Sequence, residues 1–344
     1  MENIKNKIIV SVVLSLAIVI IITALTVDAT TWESLKEINL VYLIFIGLTL
    51  VACWLLHGLR LKVLSKGVGY KLPFLSAVEI GLVDRFFSNI TPSGVGGQPF
   101  KIYVLTKNNL SSGKASAIVV TEFILRLMFF ILSLPLVLFK LNILITADLS
   151  VSLLYINLPI FIGVLGAIIY FLLYKPRYLV IIFYWIINRP LLSKIIKEKK
   201  RYSLKRKFTR EIRTFYKTIW IYLQNGVWNL IAGLLVTIVL WVLRFSILYF
   251  IIRGFNLNAD LINLLLTQII IYIVVIFIPV PGGSGIEILL ASFLQRTLPV
   301  SMLGLIVASW RFFNFYTYII MGGIVTFKVL HLDPKDIDET QTAQ

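Results

Sequence analysis

The sequence predicts an all-α, polytopic membrane protein made of two inverted repeats, with about six full transmembrane helices and two broken re-entrant hairpins. Three observations lead there. Hydrophobic residues make up 59% of the 344 residues and charged residues only 14%, with a mean hydropathy of +0.93, whereas soluble chains carry about 25% charge. Long uncharged runs recur along the chain. Two further apolar segments hold a Gly/Pro cluster in mid-course, where a helix cannot continue. This composition excludes a soluble enzyme, a secreted disulfide scaffold and a disordered chain. Cys53 is the single cysteine, which leaves neither an intramolecular disulfide nor a Cys-based metal site.

The long apolar runs fall near residues 8–27, 40–59, 115–140, 152–174, 226–252 and 300–330. Each is long enough to cross a hydrocarbon core of about 30 Å. Lys5 and Lys7 precede the first run as they would in a signal peptide. That run exceeds a secretory apolar core, and no small-residue cleavage site follows, so it reads as a retained first helix. The broken segments are 73–107 and 260–297. Irregular backbone persists at membrane depth only when buried in protein or lining a watery cavity.

Loop charges set the orientation, because basic loops stay in the cytoplasm. Lys5 and Lys7 place the N-terminus inside, and Asp28, Glu33 and Glu37 place the next loop outside. Arg60, Lys62, Lys66 and Lys71 lie inside, as do Lys107 and Lys114, so segment 73–107 enters and leaves on one face. The loop at 142–150 lies outside, and 260–297 then enters and leaves on the outer face. Lys328, His331 and Lys335 end the chain inside. The predicted organisation is a first repeat over 1–150, a second and inverted repeat over 151–330 with a cytoplasmic basic insert at 175–225, and a short polar tail over 331–344. Such inverted repeats characterise alternating-access transporters, whose sites lie at broken helices near the midplane.

Much of the net charge of +17 is concentrated between Lys175 and Lys217, where fourteen Lys and Arg face only Glu198 and Glu211. The block reads first as a topology signal. It also resembles one or two amphipathic helices on the inner leaflet, with anionic lipids as partners. No nucleic-acid-binding signature accompanies it, so nucleic acid is not an expected partner.

A local match supports the repeat. When Pro92 is laid on Pro281, Gly94 and Gly96 fall on Gly283 and Gly285, Gln98 on Glu287, and Glu122 on Arg311. Glycine lets the backbone turn and a ligand approach closely. Helix N-termini beside such turns offer N–H groups and a positive dipole end. Two of them from opposite faces would form an anion site suited to a phosphate, the alternative being turns that only pack the hairpins.

Ionisable residues at membrane depth each cost about 2.5–3.5 kcal/mol on insertion scales and need a reason. They are Glu79, Asp84, Arg85, Lys101, Glu122, Arg126, Arg244, Glu287 and Arg311. Glu122 and Arg126 are spaced to pair on one helix face or to serve the cavity. Asp84 and Arg85 point apart and need partners on other helices. Arg85 is a lipid ligand or a snorkelling anchor. Arg311 must pair across elements, with Glu287 or with a substrate. Arg244 either balances Glu79 or serves the site, and His57 is expected at the interface. With His57 and His331 the only histidines, neither a metal cluster nor a nucleophile–base pair is legible. Gly94-Val95-Gly96-Gly97 lacks the Lys-Ser/Thr of a phosphate-binding loop. No metal or cofactor is expected.

These motifs resemble the lysylphosphatidylglycerol synthase transmembrane-region family, the flippase-like membrane module of the multiple peptide resistance factor. The resemblance covers about residues 8–330. It rests on Arg60, on Asn89–Pro99 (NITPSGVGGQP), on the Glu122–Arg126 segment, on Pro281–Glu287 (PGGSGIE) and on Arg311. It implies movement of a lipid between leaflets, of the phosphatidylglycerol or lysyl-phosphatidylglycerol type, in a multi-pass cell-membrane protein. It also implies that Arg85, Glu122, Arg126, Glu287 and Arg311 lie near the lipid path. The headgroup-binding set expected is Arg85, Gly94, Gly96, Gly97, Gln98, Lys101, Glu122, Arg126, Gly283, Gly285, Glu287 and Arg311. Many relatives carry an acid at Gln98 and Arg at Lys101, which puts charge coupling there in doubt. Only Leu332–Gln344, thirteen residues, follow the last helix, too few for the fused aminoacyl-transferase domain, so transferase activity is not expected. The alternatives are an enzyme acting on a lipid headgroup, or a membrane partner of a separate lipid-modifying synthase. A homo-oligomer is also compatible.

Overall fold

The computed structural model describes residues 16–18, 20–26, 36–91, 96–144, 163, 166–167, 176–188, 198–275 and 285–331. All but residues 163 and 166–167 of the expected helix at 152–174, the loops at 28–35 and 145–150, the tail from 332, and both Gly94 and Gly283 lie outside the described residues.

After a helical segment at Leu16–Thr26, the helices are α1 (Leu40–Gly67), α2 (Phe74–Asn89), α3 (Gly97–Lys107), α4 (Ser112–Leu144), α5 (Pro176–Ile187), α6 (Glu198–Gln224), α7 (Val227–Gly254), α8 (Leu261–Val275), α9 (Ile286–Leu294), α10 (Val300–Arg311) and α11 (Thr317–His331), with a π-helical turn, Phe312–Tyr316, joining the last two. Among the described residues there is no strand. Leu40–Gly67, Ser112–Val137, Val227–Gly254 and Val300–Val329 are long and apolar enough to cross a bilayer.

The second apolar run was expected to stop at 59, with Arg60, Lys62 and Lys66 in a loop. Instead α1 continues to Gly67, because Arg60 and Ser65 are buried against neighbouring helices. Its end is made by Gly69, whose φ of +75° suits glycine, with Gly69 N–H bonded to Lys66 O at 3.0 Å and Tyr70 N–H to Ser65 O at 3.0 Å.

The first broken segment is an antiparallel pair of short helices. Contacts run in opposite directions along α2 and α3: Phe100 stacks on Phe87, and Lys101 meets Asp84. Gly97 sits against Ser88 and the Asp84 backbone so closely that any Cβ there would clash. At about 1.5 Å per residue, the 16 residues of α2 and 11 of α3 fall short of a full crossing.

Helix order recurs in the second half. α7, α8, α9 and α10–α11 follow one another with the spacings of α1, α2, α3 and α4. The counterparts α1 and α7 pack antiparallel: Phe45 stacks on Phe250 near one end, while Asn229 donates to Val63 O at 3.1 Å near the other. Asn39 N–H bonds to Gly254 O at 2.9 Å. α2 follows the Gly67 end of α1 and α8 follows the Gly254 end of α7, so the two hairpins start from opposite ends of this helix pair.

The basic insert forms α5 and α6. Phe183 stacks on Phe208, and Lys205 lies over Tyr184 while donating to Asn188 at 2.8 Å. The second half of α6 docks on the start of α4 through Phe215, Tyr216 and Ile219, and the Glu211 carboxylate accepts the Gly113 N–H at 2.7 Å. Arg206, Arg210, Arg213 and Lys217 remain exposed as one stripe at helical spacing. Removal of bulk water raises the pKa of Tyr216 at that docking face.

Candidate functional site

Burying a charge requires a partner, and the first half supplies a closed set. Glu122 of α4 accepts from Arg60 of α1 and, at 2.7 Å, from Lys101 of α3. Lys101 also lies 2.8 Å from Asp84 of α2. All four are buried, and two cations meet two carboxylates. The i,i+4 pairing of Glu122 with Arg126 is not formed. Both carboxylate oxygens of Glu122 are taken by cations from other helices, and Arg126 lies over the Phe123 ring at 4.9 Å.

The second half contains a more deeply buried pair. Glu287 of α9 and Arg311 of α10 lie 2.9 Å apart and are 0% and 3% exposed. The other Glu287 oxygen accepts the Gly285 N–H at 2.9 Å. Gly285 has φ +102°, where an L side chain is strained. Arg311 in turn stacks 3.8 Å from the Phe315 ring of the π turn, a kink type frequent at functional sites. Gly285→Ala should therefore cost about 1–2 kcal/mol, read as a lower unfolding temperature in detergent. Glu287→Gln should lower it further by unpairing Arg311.

Each described glycine corner satisfies an N–H internally. Gly96 N–H donates to Thr91 Oγ1 at 3.0 Å, as Gly285 N–H does to Glu287. Those two amides are engaged within the chain. Gln98 is half-buried beside the first corner, with Oε1 unpartnered.

Three arginines remain. Arg85 lies near the inner tip of α2, Arg126 in the middle of α4 and Arg244 in the middle of α7. The charges of Arg85 and Arg126 act on each other and on Arg244, and Asp84 acts on both while Glu122 also acts on Arg126. Arg85 Nε donates to His57 Nε2 at 3.1 Å. His57 is 3% exposed in mid-helix rather than interfacial, because α1 runs ten residues beyond it. Arg244 is 7% exposed, hydrogen-bonded to Tyr272, and 5.4–5.9 Å from the rings of Trp241, Tyr272 and Tyr318. Its Nε and Nη1 have no hydrogen-bond partner. Arg85 and Arg126 are each partly exposed.

Among the described residues none of the three has a carboxylate within 4.0 Å, and the sequence leaves no spare acid at this depth. Of the chain's sixteen acids, only Glu79, Asp84, Glu122 and Glu287 lie within the membrane segments, Asp260 standing at the exposed start of α8. Asp84, Glu122 and Glu287 are paired as above, and Glu79 is held by Lys328 at 2.8 Å. The expectation that Arg244 balances Glu79 is thus corrected: Glu79 sits in the first half of α2, beside the end of α11, where Lys328 holds it.

An apolar groove of about 450 Å³ opens elsewhere, between α1, α7 and the π turn, lined by Tyr42, Phe250, Phe312, Phe313 and Tyr316 among others.

Fold and site together define a multi-pass, all-helical membrane protein with two helical hairpins and a charged centre. Residues 8–322 match the model of the lysylphosphatidylglycerol synthase TM region, and the chain belongs to that family. It is also 30% identical over 318 residues to a UPF0104 membrane protein of Archaeoglobus fulgidus, covering 92% of this chain and 94% of that relative. The matched description is of a membrane region connected with a lipid-modifying synthase.

Proposed function

We propose that this protein holds the phosphate of a phospholipid among Arg85, Arg126 and Arg244 and moves that lipid between leaflets. One observation carries the reading: three arginines sit at mid-depth with every nearby acid already engaged. Such cations persist when an anion visits them, since each would otherwise cost about 2.5–3.5 kcal/mol. Arginine presents planar, paired N–H donors that match phosphate oxygens. The recurring helix order and the antiparallel α1–α7 pair support an inverted repeat, in which two hairpins alternately open a central site. The apolar groove beside the π turn suits acyl chains, and the stripe on α6 suits an anionic inner leaflet. Membership of the family brings phosphatidylglycerol-type lipids into the candidate set.

The test is dithionite quenching of fluorescent phospholipids in proteoliposomes of the purified chain. Protein-dependent loss of the protected inner-leaflet signal is expected. No acceleration for any lipid class tested would contradict transport and favour the second reading, a membrane partner of a separate synthase.

A further inference from the structure

The charge balance around the three arginines says which phosphate they take. The network of Arg60, Lys101, Asp84 and Glu122 is neutral, as is Glu287 with Arg311. His57 accepts from Arg85 Nε and so faces it as an uncharged imidazole. What remains is three positive charges on Arg85, Arg126 and Arg244, with two N–H groups of buried Arg244 unpartnered. A phosphodiester brings one negative charge and leaves two cations uncompensated. A lysyl-bearing phosphodiester, with two amines, is itself net positive and makes the balance worse.

Resting on the lipid-binding reading above, we infer that the cluster of Arg85, Arg126 and Arg244 is built for a lipid ending in a phosphomonoester or diphosphate, with two or more negative charges, rather than for a phosphodiester headgroup. Such a terminal phosphate presents three free oxygens. Arg244 Nε and Nη1 are buried without hydrogen-bond partners, and each is a donor free for such an oxygen. Arg85 and Arg126, partly exposed from α2 and α4, supply donors from two other helices. The aromatic ring faces around Arg244 hold its guanidinium in place without neutralising it, which preserves its charge for the ligand.

The experiment titrates the purified full chain in detergent with dioctanoyl phosphatidic acid, dioctanoyl phosphatidylglycerol and inorganic phosphate, reading tryptophan fluorescence. Trp241 lies 5.4 Å from Arg244 and reports on the site. Phosphatidic acid is expected to bind about tenfold or more tightly than phosphatidylglycerol, the effect of one added charge-assisted hydrogen bond. Arg244→Gln and Arg126→Gln should each collapse that ratio toward one, and Arg244→Lys should keep part of it. If Arg244→Gln does not fold, Arg126→Gln decides. Equal binding of the two lipids, or tighter phosphatidylglycerol binding, overturns the inference while leaving transport standing. Inorganic phosphate binding as tightly as phosphatidic acid upholds the dianion site and overturns the lipid reading.

Discussion

Arg244→Gln stops lipid movement in proteoliposomes and leaves the unfolding temperature of the detergent-solubilised protein unchanged or raised. The two halves of that result come from one fact. Arg244 is buried in the middle of α7 with two N–H groups unpartnered and no carboxylate within 4.0 Å among the described residues. A buried charge without a counter-charge lowers stability, so replacing it with a neutral side chain of similar length removes a cost. An arginine kept only for packing gives the opposite result, a lower unfolding temperature with transport intact. Loss of function with retained or improved stability is the behaviour of a site residue under a stability–function trade-off. Arg126→Gln is expected to behave in the same way.

Glu122→Gln gives the largest loss of stability, about 3–5 kcal/mol, the cost of breaking a buried ion pair from one side. Its two oxygens hold Arg60 and Lys101, which join α1 and α3 to α4. With Glu122 neutral, Asp84 still pairs with Lys101, and the buried Arg60 loses its carboxylate. The change is read as a lower unfolding temperature in detergent. Arg60→Met in the same background should recover part of the loss, since it removes the stranded cation. Glu122 and Arg126 lie one helical turn apart, yet their substitutions are expected to shift stability in opposite directions. A similar drop for both would show that Arg126 is structurally paired.

Much of the frame was legible in the sequence because bilayer physics constrains it. Runs of apolar residues long enough to span, and glycine–proline clusters that break two of them, identify α1, α4, α7 and α10–α11 and the two hairpins. The helix ends were less legible: α1 extends to Gly67 because Arg60 finds a carboxylate on α4, a contact between residues far apart in sequence. The same limit applied to the site. Spacing offered Arg126 as one partner for Glu122, and Glu79 was one partner offered for Arg244. Both carboxylates instead serve cations on other helices. The cross-element pairing of Arg311 was legible because no acid stands one turn away on its own helix. Gln268 was missed. It is buried, donates to Phe245 O at 2.9 Å and accepts from Trp310 at 3.3 Å, tying α8 to α7 and α10. A lone glutamine in an apolar run was the available signal.

The central claim is that Arg85, Arg126 and Arg244 answer to an anion from outside the chain. The most direct measurement is a cryo-EM map of the protein in lipid nanodiscs. The expected result is phosphate-sized density within hydrogen-bonding distance of the Arg244 guanidinium, between α2, α4 and α7, continuing into acyl-chain density. A map in which these three guanidiniums are each paired with carboxylates of the protein itself, with no density between them, would contradict it.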